Sequence, residues 1–439
     1  MKKKCIAGNI GLVLGALFIN LAIFTRCDLV LTEEKNETCI KEIQKVNPRW
    51  CFLIYMAADN ELESAAINDL NELEGSMAVS KDLEIFVLLD KKGDGNENPQ
   101  RGTVLYKVKN DEKDSLEIVS EKIETTGLDL GLSIEENMAS KYTLGKTIDF
   151  VKKYSSSENY GLIIWGHGTG YKNSFSSGHT NKTRGVAVDD TSEDFMTTME
   201  LREAIAEKGL SVIAFDTCFG MLIETVYELK DCGDYFIASA GLVPSEGWDY
   251  KSLFNNFSSI PRDEMNSEKF CVLAENQFVD QYENRNFVIS WIDLKLVSEL
   301  VEKFDNFAEI LKNQLIDLKS QEEMFDLFFY KLKHYKGVSY PCDMYIDIFS
   351  LADYFSISIK EAADLKSVLE RGNTKLNIGV HFIPLVEKNV VAEKHSDSYI
   401  KEMEGEKLSQ LLFVKDNKNW VPTSNLEGSF LDKLFYKNY

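Results

Sequence analysis

The spacing of apolar positions changes repeatedly along the chain. Short, nearly continuous apolar runs occur at Phe52 to Met56, Leu83 to Leu89, Tyr160 to Trp165, Val212 to Phe215 and Phe236 to Ala240. Runs of this length, bounded by turn residues, read as strands buried on both faces. Between them lie stretches whose apolar residues recur at helical spacing: Leu62 to Leu73, the segment carrying Leu144, Ile148 and Val151, Met199 to Glu207, and the segment carrying Met221, Leu222, Thr225, Val226 and Leu229. Further strand-like runs fall near Val104 to Val108, Leu116 to Val119, Phe287 to Ile292 and Leu376 to Ile383. Strands alternating with helices predict an α/β fold, with a mostly parallel central sheet and helices on both faces. From about Lys251 the pattern is more helical and adds further strands; no internal repeat is evident.

Two of the strand ends carry reactive side chains. Val212-Ile-Ala-Phe-Asp-Thr-Cys-Phe-Gly-Met221 delivers Asp216 and Cys218 where a buried strand gives way to a helical pattern. A helix N-terminus favours thiolate over thiol, and if strand geometry persists Asp216 and Cys218 share a face. A free cysteine is otherwise usually a buried structural residue. Tyr160-Gly-Leu-Ile-Ile-Trp-Gly-His-Gly-Thr-Gly-Tyr171 ends in His167, 51 residues before Cys218, with Gly166, Gly168 and Gly170 around it. A lone strand-end histidine more often packs or caps, but in open α/β sheets reacting groups collect at the carboxyl ends of strands. The His-to-Cys spacing and Cys218-Phe-Gly220 fit a caspase-type arrangement.

These residues resemble the clostripain family of cysteine peptidases, relatives of the caspase, legumain and gingipain group. Trp50-Cys-Phe-Leu-Ile-Tyr-Met-Ala-Ala-Asp-Asn-Glu-Leu-Glu63 is similar to the family's first strand and following loop, and Val87-Leu-Leu-Asp90 to its second. Trp165-Gly-His-Gly-Thr-Gly170 is similar to the histidine motif, with Gly166 where Asp is frequent. Asp216-Thr-Cys218, with Glu224, Tyr227 and Glu228, resembles the cysteine motif, and Gly247-Trp-Asp-Tyr250 the segment closing the specificity pocket. Tyr345-Ile-Asp-Ile348 and Gly379-Val-His-Phe-Ile-Pro384 resemble late strands, so the likeness covers about residues 50 to 385. Gly220 replaces a larger residue, and Ser239-Ala240 stands where an acid commonly follows the serine.

The resemblance implies a caspase-like αβα sandwich and a cysteine endopeptidase. Cys218 would be the nucleophile and His167 the general acid and base, with no third residue required. The backbone N–H groups of Gly168 and Cys218 would hold the oxyanion. Asp216 would lie at the bottom of the pocket for the residue before the scissile bond, selecting Arg and then Lys; capping of the following helix is its other reading. Glu246 and Asp249 are candidate second acids. The polar loop Lys172-Asn-Ser-Phe-Ser-Ser-Gly-His-Thr-Asn-Lys-Thr-Arg-Gly185 is of the kind that proteases nick, and the family cuts itself there after a basic residue. Arg184 is the expected site, with Lys182 second. A non-catalytic exported binding or surface protein, or a thiol transferase using the same dyad, are the alternatives. His179 and His395 lie in polar loops, His334 in a Lys-rich helical stretch and His381 in a late strand, and all have weaker claims.

Composition narrows the partners. Of the 439 residues 44% are hydrophobic and 27% charged, ordinary for a soluble globular protein, and the net charge of -22 argues against non-specific nucleic-acid binding. Lys2-Lys-Lys4 followed by an apolar run from Ile6 to Phe24 has the form of an export signal, long enough also to serve as an anchor, so membrane association of the N-terminus is an open alternative to release. The expected organisation is therefore a signal peptide or anchor over 1–27, a polar tether or pro-segment over 28–48, a core carrying both motifs over 49–250, and a C-terminal part over 251–439. The eight cysteines show no Cys-x-x-Cys, which argues against structural zinc. Gly166-His-Gly-Thr-Gly170 and Gly145-Lys-Thr147 fail as nucleotide motifs, and Pro99 spoils Asp94-Gly-Asn-Glu-Asn98 as a calcium loop. No cofactor is required, while calcium, used by some clostripain-like enzymes, stays open.

Overall fold

The computed structural model describes residues 47–92, 102–113, 116–125, 131, 135–168, 170, 185–283, 285–315, 327, 331–336, 344–370 and 375–382. All of these except Asn47 belong to one compact unit, Pro48–Tyr439. The expected signal and tether, Asp94 to Asn98 and the loop over 171–184 lie outside the described residues.

In chain order the elements are β1 (Trp50–Ala58), α1 (Glu63–Gly75), β2 (Leu83–Lys91), β3 (Gly102–Lys107), β4 (Glu121–Lys122), α2 (Lys141–Ser155), β5 (Asn159–Trp165), β6 (Val186–Asp189), β7 (Asp194–Met196), α3 (Thr198–Ile205), β8 (Leu210–Asp216) and α4 (Ile223–Glu228). They continue with β9 (Gly233–Ala238), α5 (Tyr250–Ser258), α6 (Ser267–Gln281), β10 (Ser290–Asp293), α7 (Val297–Leu315), β11 (His334–Lys336), β12 (Met344–Asp347), α8 (Ile348–Phe355), α9 (Lys360–Leu369) and β13 (Gly379–Phe382). The main sheet runs β10-β9-β8-β5-β1-β2-β3-β4. Its centre, from β9 to β2, is parallel, and β10, β3 and β4 join antiparallel.

Alternation along β1 builds both layers. Leu53, Tyr55 and Ala57 face a core shared with Leu144, Phe215 and Phe304, on the side of α2, α3 and α7. Phe52, Ile54 and Met56 face the other core, with Leu70 of α1, Phe254 of α5 and Phe270 of α6. Helices therefore cover both faces, the αβα arrangement that the pattern predicted. β11, β12 and β13 form a separate antiparallel sheet, which meets the main unit where Gly379 donates to Met221 at 3.0 Å and Tyr345 packs 5.3 Å from Phe219.

Three local expectations change. Leu116 to Val119 forms no strand: Leu116 is 85% exposed, and only Glu121 and Lys122 pair with β3. His334 opens β11 rather than lying in a helix. The helix after Cys218 starts at Ile223, because Phe219 at φ 54° and the pairing of Phe219 and Met221 with Gly241 and Ser239 hold an intervening loop.

Phe52 centres the second core. Its ring lies 5.3 Å from Trp50, 5.2 Å from Phe254 and 4.6 Å from Phe270, and it fills the place of a side chain at Gly161, where a Cβ would sit 2.3 Å from the ring. Phe52→Ala should cost about 3–5 kcal/mol in urea unfolding; a loss below about 1 kcal/mol would show that this cluster does not organise the sheet.

Candidate active site

β5 and β8 are neighbouring parallel strands with Trp165 opposite Asp216, so the chain leaves both at one level. Two residues further on, each presents a reactive side chain, His167 on one loop and Cys218 on the other. Glycine is required at this crossing. Gly166 has φ 132°, and a Cβ there would lie 2.9 Å from the Ala57 carbonyl oxygen; at Gly168 it would lie 2.3 Å from the Cys218 carbonyl oxygen and 2.6 Å from Thr217 Oγ1. The histidine and cysteine loops thus touch at backbone level.

Strand geometry stops at Asp216, and Asp216 and Cys218 take different partners. The half-buried Cys218 Sγ accepts from the Val243 N–H at 3.3 Å and donates to the Val243 carbonyl at 3.6 Å. Burial raises the thiol's pKa, the Val243 N–H opposes this, and Asp216 raises it further. α4 begins only at Ile223, so Cys218 does not stand in its first turn. Of the free thiols among the described residues, Cys51, Cys232 and Cys271 are buried, with burial pushing Cys51 up to about 12 and Cys232 to about 11. Cys218 is the accessible one.

His167 Nε2 lies 3.0 Å from Glu61 Oε1, and no hydrogen bond joins the imidazole to Cys218 among the described residues. Burial works against ionisation of Glu61, but its own backbone N–H and then His167 hold its carboxyl below the usual range. Sequence reasoning missed Glu61. The available signal was its place just beyond the carboxyl end of β1, beside the strand that carries His167.

Asp216 sits in the layer behind this edge. Its Oδ2 accepts from the Trp248 N–H at 3.1 Å and the Tyr250 hydroxyl at 3.0 Å, while Oδ1 is buried with no hydrogen-bond partner among the described residues. Gly247, at φ 58°, brings the backbone close: a Cβ there would lie 2.8 Å from Oδ2. The carboxyl does not cap α4, whose start has no side-chain cap. Burial, partly offset by the Trp248 N–H and the Tyr250 hydroxyl, pushes Asp216 up to about 7. Asp69, also missed from sequence, accepts from the Trp165 indole at 2.6 Å and is pushed up to about 9 by burial and by Asp216. The other predicted acids flank Gly247 and Trp248 and take other partners: Asp249 caps α5 through the Ser252 N–H and accepts from Gln277, and Glu246 is exposed beside Ser245. Gly220 fits its site closely, since a Cβ would lie 2.8 Å from Ala238 and 2.9 Å from Phe215. Beside Cys218 is a small cavity that Gly170, Gly185, Val186 and Phe219 also line. Arg184 and Lys182 lie outside the described residues.

Fold and site together define a caspase-like αβα protein with a thiol and an imidazole at adjacent strand ends. A family model described as the clostripain family matches residues 54–426, and the chain belongs to that family of cysteine proteases. It is 24% identical over 405 residues to clostripain of Hathewaya histolytica, spanning 79% of this chain and 74% of that one. Among solved structures it resembles an inactive zymogen C11 protease from Parabacteroides distasonis, with TM-score 0.59, 19% identity, and 85% of this chain and 99% of that chain covered. A secreted C11 cysteine protease from Bacteroides thetaiotaomicron, solved with an irreversible peptide inhibitor, matches with TM-score 0.56 and 18% identity over 84% of this chain and 98% of that chain.

The buried Asp216 charge makes a stability prediction. A carboxyl whose folded pKa is raised to about 7 contributes stability at low pH that is lost as pH rises toward 7. In a Cys218→Ala background, Asp216→Asn should therefore stabilise the fold, and its advantage in urea unfolding should grow by about 2 kcal/mol between about pH 5 and pH 8. An equal advantage at both pH values would mean that Asp216 is not a strained buried charge.

Proposed function

We propose that the protein is an endopeptidase that cleaves after Arg, and less well after Lys, through Cys218 and His167. The observation that carries this reading is the buried Asp216 carboxyl, with one oxygen unpartnered among the described residues, two residues before the thiol. An unpaired buried carboxylate is costly, and a guanidinium supplies both the missing charge and planar donors to its free oxygen. Lysine supplies the charge without the fork.

His167 takes the thiol proton as Cys218 Sγ attacks the carbonyl carbon of the Arg residue, and the backbone N–H groups of Gly168 and Cys218 stabilise the developing oxyanion. His167 protonates the leaving amine as the thioester forms. It then takes a proton from water, which hydrolyses the thioester, releases the new carboxylate and regenerates the thiol. In the intact chain the thiol is held by Val243 and the imidazole by Glu61, an arrangement suited to a precursor. Self-cleavage after Arg184, with Lys182 second, would relieve it. Supporting this step, Gly185, the residue after Arg184, lines the cavity beside Cys218. The substrates are polypeptides; the charge of -22 disfavours nucleic acid.

We also propose export, on the basic and apolar N-terminal pattern, with release or anchoring left to that segment. No helix among the described residues is long and apolar enough to cross a membrane. Mass spectrometry of the mature N-terminus tests this, and an intact Met1 in a cytosolic fraction would contradict it.

The functional test is hydrolysis of fluorogenic peptides differing only in Arg, Ala or Asp before the scissile bond. Wild type should cleave the Arg peptide far faster than the Ala peptide and leave the Asp peptide intact, Cys218→Ala should cleave none, and Asp216→Ala should lose the Arg-over-Ala preference by roughly a hundredfold, as for a lost charge-assisted contact. For the Arg peptide, kcat/KM should fall as pH drops below about 7, because a protonated Asp216 no longer offers a charge. Arg preference that survives Asp216→Ala would overturn the pocket assignment.

A further inference from the structure

Three segments meet around His167. Glu61 comes from the loop between β1 and α1, His167 follows β5, and the β6-β7 hairpin is bonded to both of their loops.

The hairpin holds the Glu61 loop through two buried residues, Asp59 and Asn60. The Asp190 N–H donates to the Asp59 carbonyl at 3.1 Å, the Thr191 N–H donates to Asp59 Oδ2 at 2.8 Å, and Asn60 Nδ2 donates to the Val188 carbonyl at 3.2 Å. Asn60 also brackets Glu61, donating to the Ala57 carbonyl at 3.1 Å and accepting from the Leu62 N–H at 2.9 Å. The backbone at Glu61 is therefore fixed on both sides, while its side chain is 75% exposed. At its other end the hairpin pairs with the histidine loop, where Gly168 and Val186 form an antiparallel bridge. The hairpin starts under strain: the buried Ala187 has φ 52°, a left-handed conformation that a residue with a Cβ keeps only when its surroundings impose it.

The grip on the ring decides what the imidazole can reach. A carboxylate only accepts, so the 3.0 Å contact with Glu61 Oε1 puts a proton on His167 Nε2 and fixes the ring. In that pose neither ring nitrogen is hydrogen-bonded to Cys218 Sγ, which is bonded to Val243 instead. To take the thiol proton the imidazole has to leave Glu61, and the fixed loop keeps Glu61 from following it.

We propose that Glu61 is a latch on His167, held closed by the β6-β7 hairpin while the chain ahead of Gly185 is intact. What the latch restrains rests on the endopeptidase reading. Its strength follows from exposure. With 36% of the His167 side chain and 75% of that of Glu61 exposed, water and salt screen the pair, and opening it handicaps the uncut chain by roughly two- to fivefold. Such a latch slows the precursor yet leaves self-cleavage accessible. A cut before Gly185 frees the start of the hairpin, so that the strained stretch relaxes and the histidine loop moves independently of the Glu61 loop.

The test compares Glu61→Ala with the parent in two full-length forms, an uncut chain carrying Lys182→Ala and Arg184→Ala, and a chain cut in that loop by itself or by limiting trypsin. The readouts are alkylation of Cys218 by iodoacetamide, followed by mass spectrometry, and hydrolysis of an Arg peptide. In the uncut chain Glu61→Ala should raise alkylation and kcat roughly two- to fivefold, with KM unchanged. Raising sodium chloride from about 10 mM to about 1 M should speed alkylation of the uncut parent and leave the variant unmoved. In the cut chain the advantage should disappear. Equal alkylation of the uncut variant and parent would overturn the latch, and slower alkylation of the variant would overturn it by making Glu61 a support of the imidazole. An equal gain in both forms would overturn the coupling to the hairpin. Faster alkylation with no hydrolysis of the Arg peptide would uphold the latch and count against the endopeptidase reading instead.

Discussion

The parallel pairing of β5 with β8 sets the chemistry of this protein. With Trp165 level with Asp216, two loops must leave the sheet side by side, and only glycine at 166 and 168 lets them do so. The thiol, the imidazole and the Asp216 carboxyl all take their positions from that register. A one-residue slip would turn β8 over, moving Asp216 away from Trp248 and Tyr250 and into the opposite core. Residues at strand interiors are consequently apolar and packed on both faces, and polar chemistry begins where the strands end.

That edge concentrates buried carboxyl groups. Asp59, Asp69, Asp90, Asp189 and Asp216 are all buried in a chain that is already acidic overall. Asp59, Asp90 and Asp216 share a pattern, with one oxygen anchored and the other buried without a partner among the described residues. Such groups lower stability while their partners are absent, and the large aromatic core around Phe52 and the two-sided packing of the sheet offset the cost. A substrate guanidinium is the partner proposed for Asp216.

Much of this was legible in the sequence because the periodicity is strong. Near-continuous apolar runs gave the central strands, and the motif residues around His167 and Cys218 gave the family. The loop after Cys218 was not legible, since Met221, Leu222 and Val226 keep helical spacing through a segment whose first residues pair instead with Ser239 and Gly241. Leu116 to Val119 looked like a strand by composition, yet an exposed apolar run without a partner strand remains a loop. Glu61 and Asp69 escaped notice because each meets its partner across the sheet, 106 and 96 residues away in sequence. Asp249 showed the opposite difficulty: an acid beside the pocket motif can equally serve a helix N-terminus, and only the bond to the Ser252 N–H distinguishes the roles.

In the proposed mechanism Cys218 and Asp216 act as one site. Its most direct measurement is titration of active protein with a peptidyl electrophile bearing Arg next to the reactive carbon, followed by mass spectrometry of the labelled peptide. The prediction is one label per chain, on Cys218, formed at least tenfold more slowly when Asp216 is replaced by Asn. Label spread over other cysteines, or labelling of Cys218 at the same rate without the Asp216 carboxylate, would contradict it.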